Sequence, residues 1–287
     1  STGTGGQVLM SNGANAICWG SAGGGGSAAT PTVAGIVLGC TTDTNSAVGC
    51  NALLAISSGA GTDNVAMGLC AGSSLTNSVR NVALGSLALS LAENNSQNVA
   101  VGYAALQVST FGQNVAVGSL ALSSLTGGNQ NVALGNNTLL LNTVGVGNTA
   151  VGHRALQNST GDSNTGVGQD ALSFASGGGN VAIGLSTGQI VSSGEFNTLL
   201  GSGAGGNINT GCYNVMIGSG ASPGLNTNCC LYIGTDAAAG FNWLSGDSTK
   251  AIKPGAGIID CANSCGTLGE YMWTTGSNAI IWASSSP

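Results

Sequence analysis

This chain of 287 residues is short of charge, and that shortage limits what it can do. Four basic and ten acidic residues make up 5% of the sequence, against about 25% in an ordinary soluble domain. Four cations and a formal charge of -6 cannot follow a phosphate backbone, so no nucleic acid partner is expected. One histidine leaves little for metal chemistry. No run approaches the ~18 consecutive apolar residues of a spanning helix, so no membrane insertion is expected. The nine cysteines are odd in number and lack a repeated Cys-x-x-Cys, which argues against a zinc ribbon or a fully paired disulfide framework. Aromatics are scarce at 4%. In their place are 51 glycines and many Ala, Val and Leu, and low charge with frequent aliphatics is the reverse of a disordered composition.

Within that composition one motif recurs, Asn-x-Ala-aliphatic-Gly. Copies open at Asn45, Asn64, Asn81, Asn98, Asn114, Asn131, Asn148, Asn164, Asn180, Asn197 and Asn214, and a degenerate twelfth, CLYIG, begins at Cys230. Their steps of 16 to 19 residues mark a repeat architecture. The second residue is mostly Val or Thr, the fourth is Val, Leu, Ile or Met, and the third is Ala or Gly in the first nine copies. That alternation predicts a short strand with two unlike faces, the aliphatic one forming the core. For the small-residue face two placements stay open: across a thin core, or against neighbouring subunits in a threefold bundle. The fifth-position Gly turns a corner, and a second short apolar element follows, as at Ala88-Leu89 and Ala105-Leu106.

One such unit buries nothing alone. Stacked at about 4.8 Å, strands pair with their equivalents and Asn above Asn forms an amide ladder. A Gly in every unit opposes a helical repeat. The expected fold is all-β, a parallel β-solenoid (β-roll) of about 12 coils of 16–17 residues over 33–234. The expected ladder is Asn64, Asn81, Asn98, Asn114, Asn131, Asn148, Asn164, Asn180, Asn197 and Asn214.

NVAVG, NVALG and NTAVG resemble the repeated Asn-Ser-Val-Ala-Ile-Gly motif of YadA-type trimeric autotransporter adhesin heads. They are also similar to Asn-Thr-Ala-x-Gly-x-x-Ala-Leu arrays in fibre proteins of phages, viruses and bacteria. The likeness covers residues 45–234. It implies a left-handed parallel β-roll, assembly as a trimer, and a place at a virion or cell surface. The adhesin repeat is shorter than the one here, so handedness and trimer contacts are not carried over.

The ends repeat each other. Residues 3–21 align without gaps on 266–284, with identities that include Trp19 and Trp282, and each copy reads as a β-hairpin. The expected order is an N-terminal hairpin (1–20), a Gly/Ser linker (21–32), the solenoid (33–234), a cap or junction (235–265) and a C-terminal hairpin (266–287). An isolated hairpin is marginal in water. Trp19, Trp282, Trp273, Trp243 and Phe241 are therefore expected to bury one another at an assembly junction, one subunit's hairpin docking on the next to build a filament.

No constellation argues for catalysis. The carboxylates are scattered; Asp43 with Asp63, or Asp162 with Asp170, could approach on adjacent coils, but they lie in polar loops and read as solvated. His153 has no partner at a recognisable spacing. Possible disulfides are Cys40 with Cys50 and Cys261 with Cys265. An ice-binding role is disfavoured, because the strands lack a regular Thr row. The expected function is a non-catalytic extracellular structural fibre or filament subunit, without cofactor, whose partner is itself. The alternative is an adhesin or receptor-binding fibre that recognises a cell-surface glycan.

Overall fold

The computed structural model describes residues 44–56, 61–93, 95–222 and 226–235 in full, and the backbone of strands at 7–11, 17–21, 32–33, 36–40, 242–246, 252–254, 271–275 and 279–283. Every regular element among these is a β-strand. The chain divides into two units, Ser1–Asn148 and Thr149–Pro287.

The first unit carries β1 (Gln7–Ser11), β2 (Ile17–Ser21), β3 (Thr32–Val33) and β4 (Ile36–Cys40). Six coil strands follow: β5 (Ser46–Val48), β6 (Val65–Met67), β7 (Val82–Leu84), β8 (Val99–Val101), β9 (Val115–Val117) and β10 (Val132–Leu134). They pair parallel and in strict register, Ala47, Ala66, Ala83, Ala100, Ala116 and Ala133 lying in one row. Ahead of them β4 pairs antiparallel with β5, and β3 with β4.

The second unit repeats the design with β11 (Thr149–Val151), β12 (Thr165–Val167), β13 (Val181–Ile183), β14 (Thr198–Leu200), β15 (Val215–Ile217) and β16 (Leu231–Gly234). These also pair parallel, so each unit is a parallel β-solenoid. Then direction reverses: β17 (Asn242–Gly246) runs antiparallel to β16, and β18 (Ile252–Pro254) antiparallel to β17. The end hairpins, β1 with β2 and β19 (Tyr271–Thr275) with β20 (Ala279–Ala283), share one register: Leu9 faces Trp19 as Met272 faces Trp282.

The two faces of the coil strands are the reverse of the sequence expectation. The small third residues point inward: Ala100, Ala116, Ala133 and Ala150 are at 0% exposure. The aliphatic second and fourth residues point outward, half-buried or exposed. The core is completed by the Leu of the second apolar element, with Leu89, Leu106, Leu122, Leu139, Leu156 and Leu172 fully buried. Space is the reason. A Cβ added at Gly166 would already lie 3.2 Å from Leu156 Cγ, so an interior one Leu deep admits only a methyl from the strand, and a pair of aliphatics would overpack it. The small-residue stripe therefore faces its own chain's Leu row, the thin-core placement, and not a neighbouring subunit.

Those leucines sit in left-handed backbone, φ 51° at Leu89 and 47° at Leu106. That conformation costs an L-residue about 1–2 kcal/mol. Burying the side chain returns about 2 kcal/mol, and the Leu89 N–H donates to Ala105 O of the next coil at 3.1 Å. The corner glycine is not replaceable in this way. Gly102 has φ 137°, and a Cβ there would lie 2.5 Å from Gly118 O in the coil above.

Candidate functional site

Inside each unit the ladder asparagines join coil to coil. The Asn81 backbone N–H donates to Asn64 Oδ1 at 3.0 Å, and its Nδ2 donates to the same oxygen at 3.1 Å and to Asn95 O at 3.0 Å. The pattern recurs from Asn64 to Asn45, from Asn98 to Asn81, and from Asn131 to Asn114. The Asn114 and Asn148 N–H groups also reach back to the Oδ1 of Asn98 and Asn131. In the second unit Asn180 bonds Asn164, Asn197 bonds Asn180, and Asn214 bonds Asn197. All ten from Asn64 to Asn214 are at 0% exposure. The side chain thus supplies, at the corner, the hydrogen bonds that the strand ladder supplies elsewhere, and its loss strands buried donors and acceptors at roughly 1–3 kcal/mol each.

Outside, the second and fourth residues of the coil strands form an apolar surface. Met67 is 54% exposed, and Val65, Val117, Leu134, Ile183 and Leu200 are also exposed. No charged residue occupies either position from β5 to β16.

One corner carries an ion pair across adjacent coils. Arg154 Nη2 donates to Asp170 Oδ2 at 2.8 Å, with Arg154 Nε 2.7 Å from Oδ1, and Gln169 Nε2 donates to Oδ2 at 3.2 Å. The hydrogen bond from Arg154 holds the Asp170 carboxyl below the usual carboxylate range, against a smaller upward push from burial. Asp170 is buried while Asp162 is exposed. Asp63 accepts a hydrogen bond from Thr44 Oγ1 at 2.7 Å, His153 is exposed, and Asp43 lies outside the described residues. Among the described residues no three His, Cys, Asp or Glu side chains are placed to hold a metal, and no helix is long and apolar enough to cross a membrane.

Cys40 lies in β4 opposite Ser46, four residues short of Cys50 and before the corner at Gly49. The Cys50 thiol is free and exposed. Its neighbour is Cys70, whose N–H donates to Cys50 O at 2.9 Å. Cys261, Cys265 and Phe241 lie outside the described residues. Trp19, Trp243, Trp273 and Trp282 fall on strands β2, β17, β19 and β20, and their side chains lie outside the described set.

Two arrangements escaped the sequence reading. Phe196 and Tyr213 stack with centroids 5.2 Å apart and planes 17° apart, each more than half exposed. Arg154 and Asp170 pair across adjacent coils. Both pairs hold equal repeat positions in successive copies, the residue before the ladder Asn and the sixth after it. Comparison with protein-family models, curated proteins and solved structures finds no match.

Proposed function

We propose that the protein is a non-catalytic structural fibre or filament subunit of an extracellular, virion or cell surface, and that its principal partner is another copy of itself. The observation that supports this best is the uncharged aliphatic face. On each unit it recurs on all six coil strands, and monomeric soluble proteins rarely expose contiguous apolar patches larger than a few hundred Å². Its rows recur at the coil step, so a second copy matches it row for row, whereas a partner without that period meets it at one coil only. Sheet faces of this kind pack about 10 Å apart. The matching end hairpins offer a further, head-to-tail contact through Trp19 and Trp282.

Light scattering on the full chain tests the reading. The wild type is expected to form a defined oligomer or filament, and Val99→Lys/Val115→Lys/Val132→Lys to fall to monomer with its β signature intact. Leu91→Lys/Leu141→Lys, at other exposed sites of the same unit, should leave the assembly alone. A wild type that stays monomeric at high concentration overturns the proposal.

A second reading, recognition of a cell-surface glycan, is favoured by the exposed Phe196–Tyr213 stack.

A further inference from the structure

We propose that Tyr213, backed by Phe196 and flanked by Glu195, forms a site for the C–H face of a neutral hexopyranose. The inference rests on the second, glycan-binding reading and not on self-association.

The residue before each ladder Asn lies in left-handed backbone and faces solvent. The first unit places mostly polar residues in this row, among them Asp63, Arg80 and the amides Gln97, Gln113 and Gln130, the last three at φ 63°, 64° and 58°. The second places Phe196 and Tyr213 there, at φ 55° and 59°. Left-handed backbone is unfavourable for bulky side chains, and the glutamines show that the coil does not need rings here. An outlier that the fold does not require points to function.

The surroundings separate the two rings into different roles. A Cβ added at Gly179 would lie 2.6 Å from Phe196 Cδ1, so the absence of a side chain there leaves room for the Phe196 ring, which Tyr213 stacks upon. Tyr213 keeps 60% exposure and is the platform, with the smaller, exposed Cys229 next in the row one coil further on. Tyr213 N–H donates to Glu195 O at 2.9 Å, which holds the Glu195 backbone against that of Tyr213. The Glu195 side chain is exposed and accepts no hydrogen bond within the described residues. One coil further on, Asn226 Oδ1 accepts from Thr210 N–H at 3.0 Å and Asn228 Oδ1 from Cys212 N–H at 2.7 Å. Each leaves an Nδ2 donor directed away from those bonds.

A pyranose needs this combination: an aromatic face for its axial C–H groups, with a carboxylate acceptor and amide donors for its hydroxyls. An acidic sugar would meet the Glu195 carboxylate. An ammonium ligand wants rings on several sides, and two parallel rings offer one face.

The test uses the full chain on an array of neutral, acidic and quaternary-ammonium ligands, followed by titration of the best neutral glycan. Tyr213→Gln, which sets there an amide that the row accepts at three coils of the first unit, should weaken binding roughly tenfold, as loss of an aromatic anchor does. Phe196→Gln and Glu195→Gln should each weaken it about threefold, and Tyr103→Gln, an exposed ring elsewhere, should have no effect. Saturation-transfer NMR on the unmutated protein should place the closest sugar protons on the Tyr213 ring, a readout independent of any variant. Neutral-glycan binding that ignores Tyr213→Gln overturns this site and leaves the glycan reading standing. Absence of neutral-glycan binding, or binding of the ammonium ligands alone, overturns both. Loss of self-association by Tyr213→Gln without any glycan bound makes a second copy the occupant and overturns the site.

Discussion

The two units build the same coil, and the second begins with the interior of the first, Ala150 and Ala182 on the strand and Leu156 and Leu172 across from it, before departing from it. In the first, the inward strand residue is Ala from Ala47 to Ala133, and Leu89, Leu106, Leu122 and Leu139 fill the space across the coil. In the second the strand row grows, from Ala182 through Leu199 and Met216 to Tyr232, all at 0–2% exposure. As it grows the opposite position shrinks: Leu172 gives way to Gly188, Gly205 and Ser222. The exchange is spatial as well as sequential, because Cβ atoms added at Gly188 and Gly205 would lie 2.7 and 2.8 Å from Leu199 Cδ1. Around Leu199 the side chain that fills the interior therefore comes from the strand instead of from the element across the coil, as close-packed interiors demand.

The largest effect should come from breaking that exchange. Leu199→Ala opens a cavity between Gly188 and Gly205, at an expected cost of about 3–4 kcal/mol by chemical denaturation. Gly188→Leu on the same background recreates the first unit's pattern and should recover part of it, whereas Gly188→Leu alone should overpack. Failure of the double variant to exceed Leu199→Ala in stability would refute the exchange. Next in size is the ladder, which both units share. Asn114→Ala and Asn197→Ala should each cost about 2–3 kcal/mol, and a difference between them much larger than 1 kcal/mol would show that the units rely on the ladder unequally. Ala116→Leu should cost about 1–3 kcal/mol, with partial rescue by Leu106→Gly.

The smallest effect separates the units by pH. The carboxyl of Asp170 is held below its ordinary value in the folded chain, so its contribution is present above the unfolded carboxylate pKa of about 3.9 and lost as pH falls through the lower folded value. Asp170→Asn should lower the melting temperature by about 2 °C at pH 7 and abolish the difference in acid. A gap that persists at low pH would mean that packing, not charge, is lost.

Period, strand and ladder were legible because identical residues return every coil, and stacking follows from periodicity alone. Which face points inward was not legible by the usual rule that the more apolar face is buried. That rule assumes a core deep enough for both aliphatics, and coil closure here leaves a depth set by one Leu. The sequence did hold a signal: the second position admits Ser46, Thr149, Thr165 and Thr198, while the third admits nothing polar until Tyr232, whose hydroxyl donates to Thr235 O at 2.9 Å. The Arg154–Asp170 and Phe196–Tyr213 pairs emerge only when copies are aligned by repeat position, because chain neighbours give no hint of them.

The amide ladder has a reading direction. Within each unit an Asn takes its position from the oxygen of the coil before it and presents its own oxygen to the coil after it, so one coil is copied from another like a line of text from the line above. Cys230 reads the last line, its N–H donating to Asn214 Oδ1 at 3.0 Å. It then has no amide to pass on, and its thiol donates to Asn228 O at 3.5 Å. One substitution thereby acts as a full stop, and the strand that follows, β17, runs the other way.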